Sequence, residues 1–236
     1  MKQHTPEWHA ARLGRATASR ASDWMAVLRT GGVPAVRKQY LAELVLERMT
    51  GVPFPSYQSA AMLAGSELEP DARAAYAFFR NVDVIEVGFI EHPSIAMSGA
   101  SPDGFVGDDG LLEIKCPTPA THMETLLRPE KVEGQYLDQM MFQMACTGRA
   151  WCDFVSYNPH YPEPMRLSVV RVMRHDQVID AIEKQCMRFL AEVDATEAAL
   201  REKYEWPKRA SPVEIDETSE RPGPRNDAGA MLLLQG

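Results

Sequence analysis

Residues 98–117 constrain this chain more than any other stretch. They read SGASPDGFV, then Gly107-Asp108-Asp109-Gly110, then LLEIKCP. Two β-type runs around a turn of Gly and Asp predict a tight hairpin. Pro117 ends the return strand, because proline has no amide to give to a ladder. Side chains two apart on a strand leave the same face. Glu113 and Lys115 therefore share a face, and Ile114 points the other way, into a core. Asp103 lies ten residues before Glu113, on the other arm. The hairpin can bring two carboxylates and one ammonium to one spot.

The flanking segments change period. Apolar residues at Val36, Tyr40, Leu41, Leu44, Val45 and Met49 predict a helix over 34–49, stopped by Gly51 and Pro53. Thr17 or Ser19 could cap an earlier helix running towards Thr30, where Gly31-Gly32 would stop it. A further helix is expected over 59–80, broken near Pro70. Val82, Val84, Ile85, Val87 and Phe89 suggest a strand, and 98–106 another. A helix over 134–146, strands over 150–157 and 165–173, and a long helix over 175–204 complete the pattern. The expected fold class is α/β of the α+β type, a central mixed sheet flanked by helices. One domain is expected over 1–205: helical over 1–80, a sheet core over 81–175, then the long helix. The proline-rich segment 206–236 reads as a flexible polar tail.

Composition narrows the function classes. The net charge of -8 makes the whole surface a poor coat for nucleic acid, but its distribution is uneven. Residues 1–50 carry eight Lys/Arg and four acids, whereas 51–115 carry three and ten. A basic head before an acidic middle suits a polyanion held beside a metal site. The four cysteines have no CxxC spacing and read as reduced thiols rather than a disulfide framework or zinc site. No signal-peptide core and no run of about 18 apolar residues is visible, so the expected location is the cytoplasm, with no membrane partner.

Two neighbouring carboxylates repel unless a cation joins them. Their oxygens are hard ligands that suit Mg²⁺, with Mn²⁺ as a substitute. Such an ion accepts phosphate oxygens and lowers the pKa of an attacking water. Lys115 could orient that water, or act as its base if its own pKa were depressed. Phosphodiester hydrolysis is the natural match. E-x-K alone is a weak signal, and a solvated strand face with a salt bridge is the plain alternative. Cys116-Pro117 places the cluster near a strand end, where sites often sit. Glu69 and Gln139 are polar positions among apolar helix neighbours and could face the same cleft.

The pattern D-x9-E-x-K on a hairpin resembles the restriction-endonuclease-like PD-(D/E)xK nucleases. Trp8-His9-Ala10-Ala11-Arg12-Leu13-Gly14 with Thr17-Ala18-Ser19, Gly65-Ser66-Glu67-Leu68-Glu69-Pro70-Asp71-Ala72-Arg73, Ser101-Pro102-Asp103-Gly104, Leu112-Glu113-Ile114-Lys115-Cys116-Pro117, Tyr136-Leu137-Asp138-Gln139 and Ser156-Tyr157-Asn158-Pro159 follow one another. In that order they resemble the lambda exonuclease / YqaJ viral recombinase family.

The resemblance implies a Mg²⁺-dependent 5′→3′ exonuclease of alkaline exonuclease type. Such an enzyme degrades one strand of duplex DNA to mononucleotides. It leaves 3′ overhangs for a single-strand annealing partner and works as a homotrimeric ring. It implies that Asp103 and Glu113, with the Ile114 carbonyl, hold the metal, two ions per site. Lys115 would position the nucleophilic water, Glu69 would support it, and Gln139 would complete the site. Arg12, Ser19 and Ser101, with Thr17 beside them, would grip the 5′-phosphate.

A ring lets the basic residues of 1–50 line a channel while the outside stays acidic. Met62 or Leu63 is the candidate for an apolar wedge that the family drives into the duplex. Arg15 has no assigned partner, Asp108-Asp109 reads as turn chemistry, and His9 as structural. Three rivals compete: a structure-specific endonuclease of the same superfamily, a catalytically silent DNA-end-binding scaffold, and a small-molecule phosphoesterase.

Overall fold

The expected hairpin is present, but its first arm is cut in two and the pieces lie in different sheets. The computed structural model describes residues 2–28, 31–55 and 60–206. In chain order the elements are α1 (Pro6–Arg12), β1 (Ala16–Thr17), a 3-10 turn (Ala18–Arg20), α2 (Ala21–Trp24), α3 (Ala35–Thr50) and α4 (Ala60–Arg80). Then come β2 (Val84–Ile85), β3 (Ile90–Glu91), β4 (Ser98–Ala100), β5 (Gly104–Val106), β6 (Gly110–Lys115), α5 (Pro119–Leu127) and α6 (Gly134–Thr147). β7 (Trp151–Tyr157), a 3-10 turn (Glu163–Met165), β8 (Leu167–Met173) and α7 (Asp176–Lys203) follow.

The larger sheet runs β2-β5-β6-β7-β8. β6 and β7 pair in parallel and the other pairs are antiparallel. A parallel pair needs a long crossover, which α5 and α6 supply. A small sheet, β1-β4-β3, stands apart from it in the hydrogen-bond ladders. The mixed sheet flanked by helices is the expected fold class.

Alternation along β6 decides the two cores. Leu112 and Ile114 pack with Ala72 and Tyr76 of α4, and Val155 of β7. Leu111 joins the other cluster, with Met140, Phe142 and Met144 of α6, Phe154 of β7 and Phe189 of α7. Glu113 is on this second side, directly under α6. The Tyr76 hydroxyl donates to Asp153 at 2.8 Å, and Arg171 grips the same buried carboxylate through two nitrogens. α4 is thereby tied to β7.

Gly110 opens β6 because no other residue fits: a Cβ there would lie 2.1 Å from the Trp151 ring. Gly51 ends α3 at φ +69, its amide bonded to the Glu47 carbonyl.

Several expectations change. The helix from Thr17 or Ser19 towards Thr30 shrinks to a strand, a 3-10 turn and the four residues of α2. Thr17 caps nothing, because Ala16 and Thr17 are instead recruited to pair with Ser98 and Gly99. α4 continues through Pro70 unbroken. The single strand expected over 82–89 shrinks to β2, and the next strand, β3, begins only at Ile90 and lies in the other sheet. The tail expected over 206–236 lies, apart from Trp206, outside the described residues.

Candidate active site

The site sits where β5 and β6 meet at one end of the sheet. Their register pairs Gly104 with Leu112. One step further puts Asp103 opposite Glu113, and the Asp103 amide donates to the Leu112 carbonyl at 3.0 Å. The Ile114 amide donates to Asp103 Oδ2 at 2.6 Å. Ser101 and Pro102 are the crossover between the two sheets, which is why the first arm could not be one strand.

Glu113 is 1% exposed. Its Oε1 accepts from Gln139 Nε2 at 2.7 Å and from Lys115 Nζ. Its Oε2 accepts from Gln143 Nε2 at 2.6 Å. A carboxylate has no proton to give, so both amides must turn their nitrogens towards it. Gln143 lies one helical turn after Gln139 on α6, so both reach the same point. Sequence reasoning missed Gln143; the Gln-x3-Gln spacing was the signal that could have found it.

The electrostatics are those of a site crowded with negative charge. Burial, then Glu113, then Glu69 hold Asp103 well above the usual carboxylate range, against the pull of Lys115 and the Ile114 amide. Burial alone would lower Lys115, but Glu113 and Asp103 outweigh it and raise the ammonium above its ordinary value. Lys115 therefore stands as a cation and donor in this state, which does not suit the role of base. Burial, with Glu69 and Asp103, pushes the Cys116 thiol up to about 12.

Glu69 projects from α4 towards this cluster and pairs with Arg73, whose Nε also donates to the Asp103 carbonyl at 3.1 Å. The helix runs close to the end of β6: a Cβ on Gly65 would lie 3.5 Å from the Cys116 carbonyl.

Among the described residues no group of three or more His, Cys, Asp or Glu forms a closed metal cage. The donors brought together here are the two carboxylates of Asp103 and Glu113. Mg²⁺ uses such partial sets, with substrate phosphates and water filling the rest. Crowded carboxylates offset by one lysine fit a divalent cation.

Arg12, Ser19, Ser101 and Thr17 come together as a second group. Arg12 donates to Ser101 Oγ at 3.2 Å and to Ser19 Oγ at 3.3 Å, and Thr17 Oγ1 lies 3.3 Å from Ser19 Oγ. Trp8 Nε1 also donates to Ser101 Oγ, at 2.9 Å, and Arg12 stacks 4.2 Å above the Trp8 ring. The tryptophan thus shapes this group, a role the sequence did not reveal. Ser101 accepts two hydrogen bonds, which leaves its own proton to donate elsewhere. Among the described residues Arg12 pairs with no carboxylate, so its charge is available to an anion.

The remaining positions also resolve. Arg15 pairs with Glu91 at 2.9 Å. His9 stands edge-on to Trp8. In the turn, the Asp109 carbonyl accepts from the amides of Ala150 and Trp151. Leu63 is 49% exposed, and the side chain of Met62 lies outside the described residues.

Residues 7–150 match the model of the YqaJ-like viral recombinase domain. No curated protein matches the chain in a sequence comparison. Among solved structures, an alkaline exonuclease, LHK-Exo, from Laribacter hongkongensis is 48% identical, with a TM-score of 0.79, over 85% of this chain and 98% of that one. The same exonuclease in complex with dAMP matches equally. A phage-related exonuclease from Haemophilus somnus 129PT shares the fold at 14% identity, with a TM-score of 0.65, over 79% of this chain and 96% of that one.

Proposed function

This chain belongs to the YqaJ-like viral recombinase family and is a DNA exonuclease; from that premise we propose that it removes mononucleotides from 5′-phosphorylated ends of duplex DNA, in the 5′→3′ direction. The carrying observation is that the Arg12–Ser19–Ser101 group lies two residues along the chain from Asp103, which faces Glu113. A terminal phosphate bound at the first group places the next phosphate of the same strand at the second.

In this reading Asp103, Glu113 and the Ile114 carbonyl would hold Mg²⁺, or Mn²⁺ in its place, as two ions, which would supply charge compensation for the phosphate and a more acidic water. Lys115, kept as an ammonium by Glu113, holds that water or a phosphate oxygen by donating to it. Gln139 and Gln143 fix both oxygens of Glu113, so its position costs no reorganisation during the reaction. Glu69, oriented by its pair with Arg73, would support that water. Arg12 and the hydroxyls of Ser19 and Ser101, with Thr17 buttressing Ser19, discriminate a terminal phosphate dianion from an internal diester.

The dAMP in the complex of LHK-Exo is a nucleoside monophosphate, which supports mononucleotide release. We further propose a homotrimeric ring that leaves 3′ overhangs for an annealing partner in homologous recombination. Of the basic residues of 1–50 expected to line its channel, Arg15, Arg20, Arg37 and Arg48 are instead paired with Glu91, Asp23, Glu192 and Asp194, so they do not supply a free positive lining. We place it in the cytoplasm, where such DNA is met; among the described residues no helix is long and apolar enough to cross a membrane.

The test compares linear and covalently closed circular duplex in Mg²⁺ and in EDTA. Release of acid-soluble nucleotide from the linear form alone, and only with Mg²⁺, is expected. Cutting of closed circles would favour the endonuclease instead. Tight end binding without hydrolysis would favour the silent scaffold.

A further inference from the structure

β1 is an edge strand: β4 pairs with one side of it, and among the described residues no strand pairs with the other. The Ala16 amide donates to the Met97 carbonyl at 2.9 Å, so Ala16 turns its peptide groups towards β4. Along a strand these groups alternate in direction. The Arg15 carbonyl and the Thr17 amide therefore point the other way, where the next strand is missing. The chain is buried here, with Ala16 0% and Thr17 4% exposed, which leaves little room for water to replace that strand. Left unpaired, both groups would carry the cost of a buried orphan.

The Tyr40 hydroxyl fills the place of the missing strand. It accepts from the Thr17 amide at 3.2 Å and donates to the Arg15 carbonyl at 3.1 Å. A hydroxyl can do both at once. Burial raises Tyr40 above the ordinary tyrosine value, so the hydroxyl keeps its proton in alkaline solution. By periodicity alone Tyr40 is one more apolar position of α3. In the fold its ring stacks on Phe189 of α7, with centroids 5.6 Å apart, and Arg20 lies 4.1 Å above it.

The clamped residues, 15 to 17, join the two halves of the Arg12–Ser19 group. On one side the Arg15 amide donates to the Arg12 carbonyl at 3.1 Å. On the other, Thr17 Oγ1 lies 3.3 Å from Ser19 Oγ. β4, the partner of β1, leads directly into Ser101. Tyr40 also lines, with Arg12, Thr17 and Arg20, a cavity of about 230 Å³. We propose that Tyr40 is a positioning residue for recognition of the DNA end. Through Arg15 and Thr17 its hydroxyl sets the spacing of Arg12 and Ser19, and so their fit to a terminal phosphate. Tyr40 itself touches no substrate. This rests on the 5′-phosphate reading above.

The experiment measures kcat and KM for nucleotide release in Mg²⁺ from duplexes with a 5′-phosphate or a 5′-hydroxyl at the attacked end, the other end being blocked. The proteins are wild type, Tyr40→Phe and Phe189→Leu. Tyr40→Phe keeps the ring and its packing and deletes the two hydrogen bonds. Misaligning one charge-assisted bond to the phosphate should lower the phosphate-over-hydroxyl ratio of kcat/KM by about tenfold. The loss should lie in KM for the phosphorylated end. Partial unfolding removes active molecules from both substrates alike, so it does not move this ratio. Phe189→Leu loosens the same ring without touching the hydroxyl. It should lower the melting temperature and keep the wild-type ratio.

An undiminished ratio in Tyr40→Phe, or an equal fall in both variants, overturns the proposal and leaves the grip of Arg12 standing. Should Tyr40→Phe not fold, the ratio is read with 4-aminophenylalanine at position 40. That side chain fills the same space and donates to Arg15, but accepts only weakly from Thr17. A fall of about twofold or more is expected there, and an unchanged ratio overturns the proposal. A wild-type ratio near one contradicts the 5′-phosphate reading itself, and the role of Tyr40 with it.

Discussion

The Ile114 amide donates to Asp103 Oδ2 at 2.6 Å, so the backbone between Glu113 and Lys115 fixes the carboxylate on the opposite arm. That bond partly offsets the burial and the repulsion from Glu113 and Glu69 that raise Asp103. The carboxylate nevertheless sits where its charge is unfavourable until a cation arrives.

Asp103→Asn should therefore abolish activity and stabilise the metal-free fold. The asparagine oxygen can still accept from Ile114 but never ionises. A carboxyl whose folded pKa lies above its unfolded one costs stability as pH rises through that window. The advantage of asparagine should be present at pH 8 and vanish below the ordinary aspartate range. For about 1 kcal/mol the melting temperature at pH 8 should rise by roughly 2–4 °C in a chain of this size. Mg²⁺ should raise the melting temperature of wild type and leave the variant unmoved. Equal melting of both proteins at pH 8 without metal would contradict the electrostatic account.

Gln143→Leu keeps the volume of the side chain but removes the donor to Glu113 Oε2. Loss of such an outer partner typically costs about 10–100-fold in metal affinity or activity. Calorimetric Mg²⁺ titration should show that loss with an unchanged circular dichroism spectrum. A variant with native metal affinity and rate would remove Gln143 from the site.

Arg12→Ala should act at the end of the DNA rather than at the cut. Charge-assisted hydrogen bonds of about 1.5–3 kcal/mol translate to roughly 10–150-fold. Competition between 5′-phosphate and 5′-hydroxyl ends should show the wild-type preference collapsing by that factor, with the rate on hydroxyl ends retained. An undiminished preference would move the phosphate grip elsewhere.

Tyr76→Phe separates stability from chemistry. It removes one hydrogen bond from the buried Asp153, which keeps its pair with Arg171. About 1–3 kcal/mol of stability should be lost, read as a lower denaturation midpoint. Turnover at 25 °C should be unchanged. A proportionate fall in turnover would mean that α4 needs this anchor to present Glu69.

The legibility of the sequence followed the range of the interactions. The hairpin, the turn at Gly107–Gly110 and the helix ended by Gly51 rest on local rules, so they could be read directly. Asp103, Glu113 and Lys115 were legible because a two-residue strand period and one turn suffice to juxtapose them. The split at Ser101-Pro102 was not, because it depends on β4 pairing with β1, far away in sequence. Trp8 and Gln143 were missed for a related reason. Each looks like an ordinary apolar-face or helix residue until the fold delivers a partner, Ser101 for one and Glu113 for the other. The helix expected from Thr17 failed because burial of Ala16, Ala18 and Trp24 against the core outweighs a weak local preference.

Asp103, Glu113 and Lys115 are proposed to hydrolyse DNA from a 5′-phosphorylated end. The most direct measurement is mononucleotide release in Mg²⁺ from a linear duplex carrying one phosphorylated and one hydroxyl 5′ end, for wild type and Lys115→Ala. Rapid release from the phosphorylated end, reduced at least about 10³-fold in the variant while DNA binding persists, is the predicted result. Full activity in Lys115→Ala, or equal release from both ends, would contradict the account.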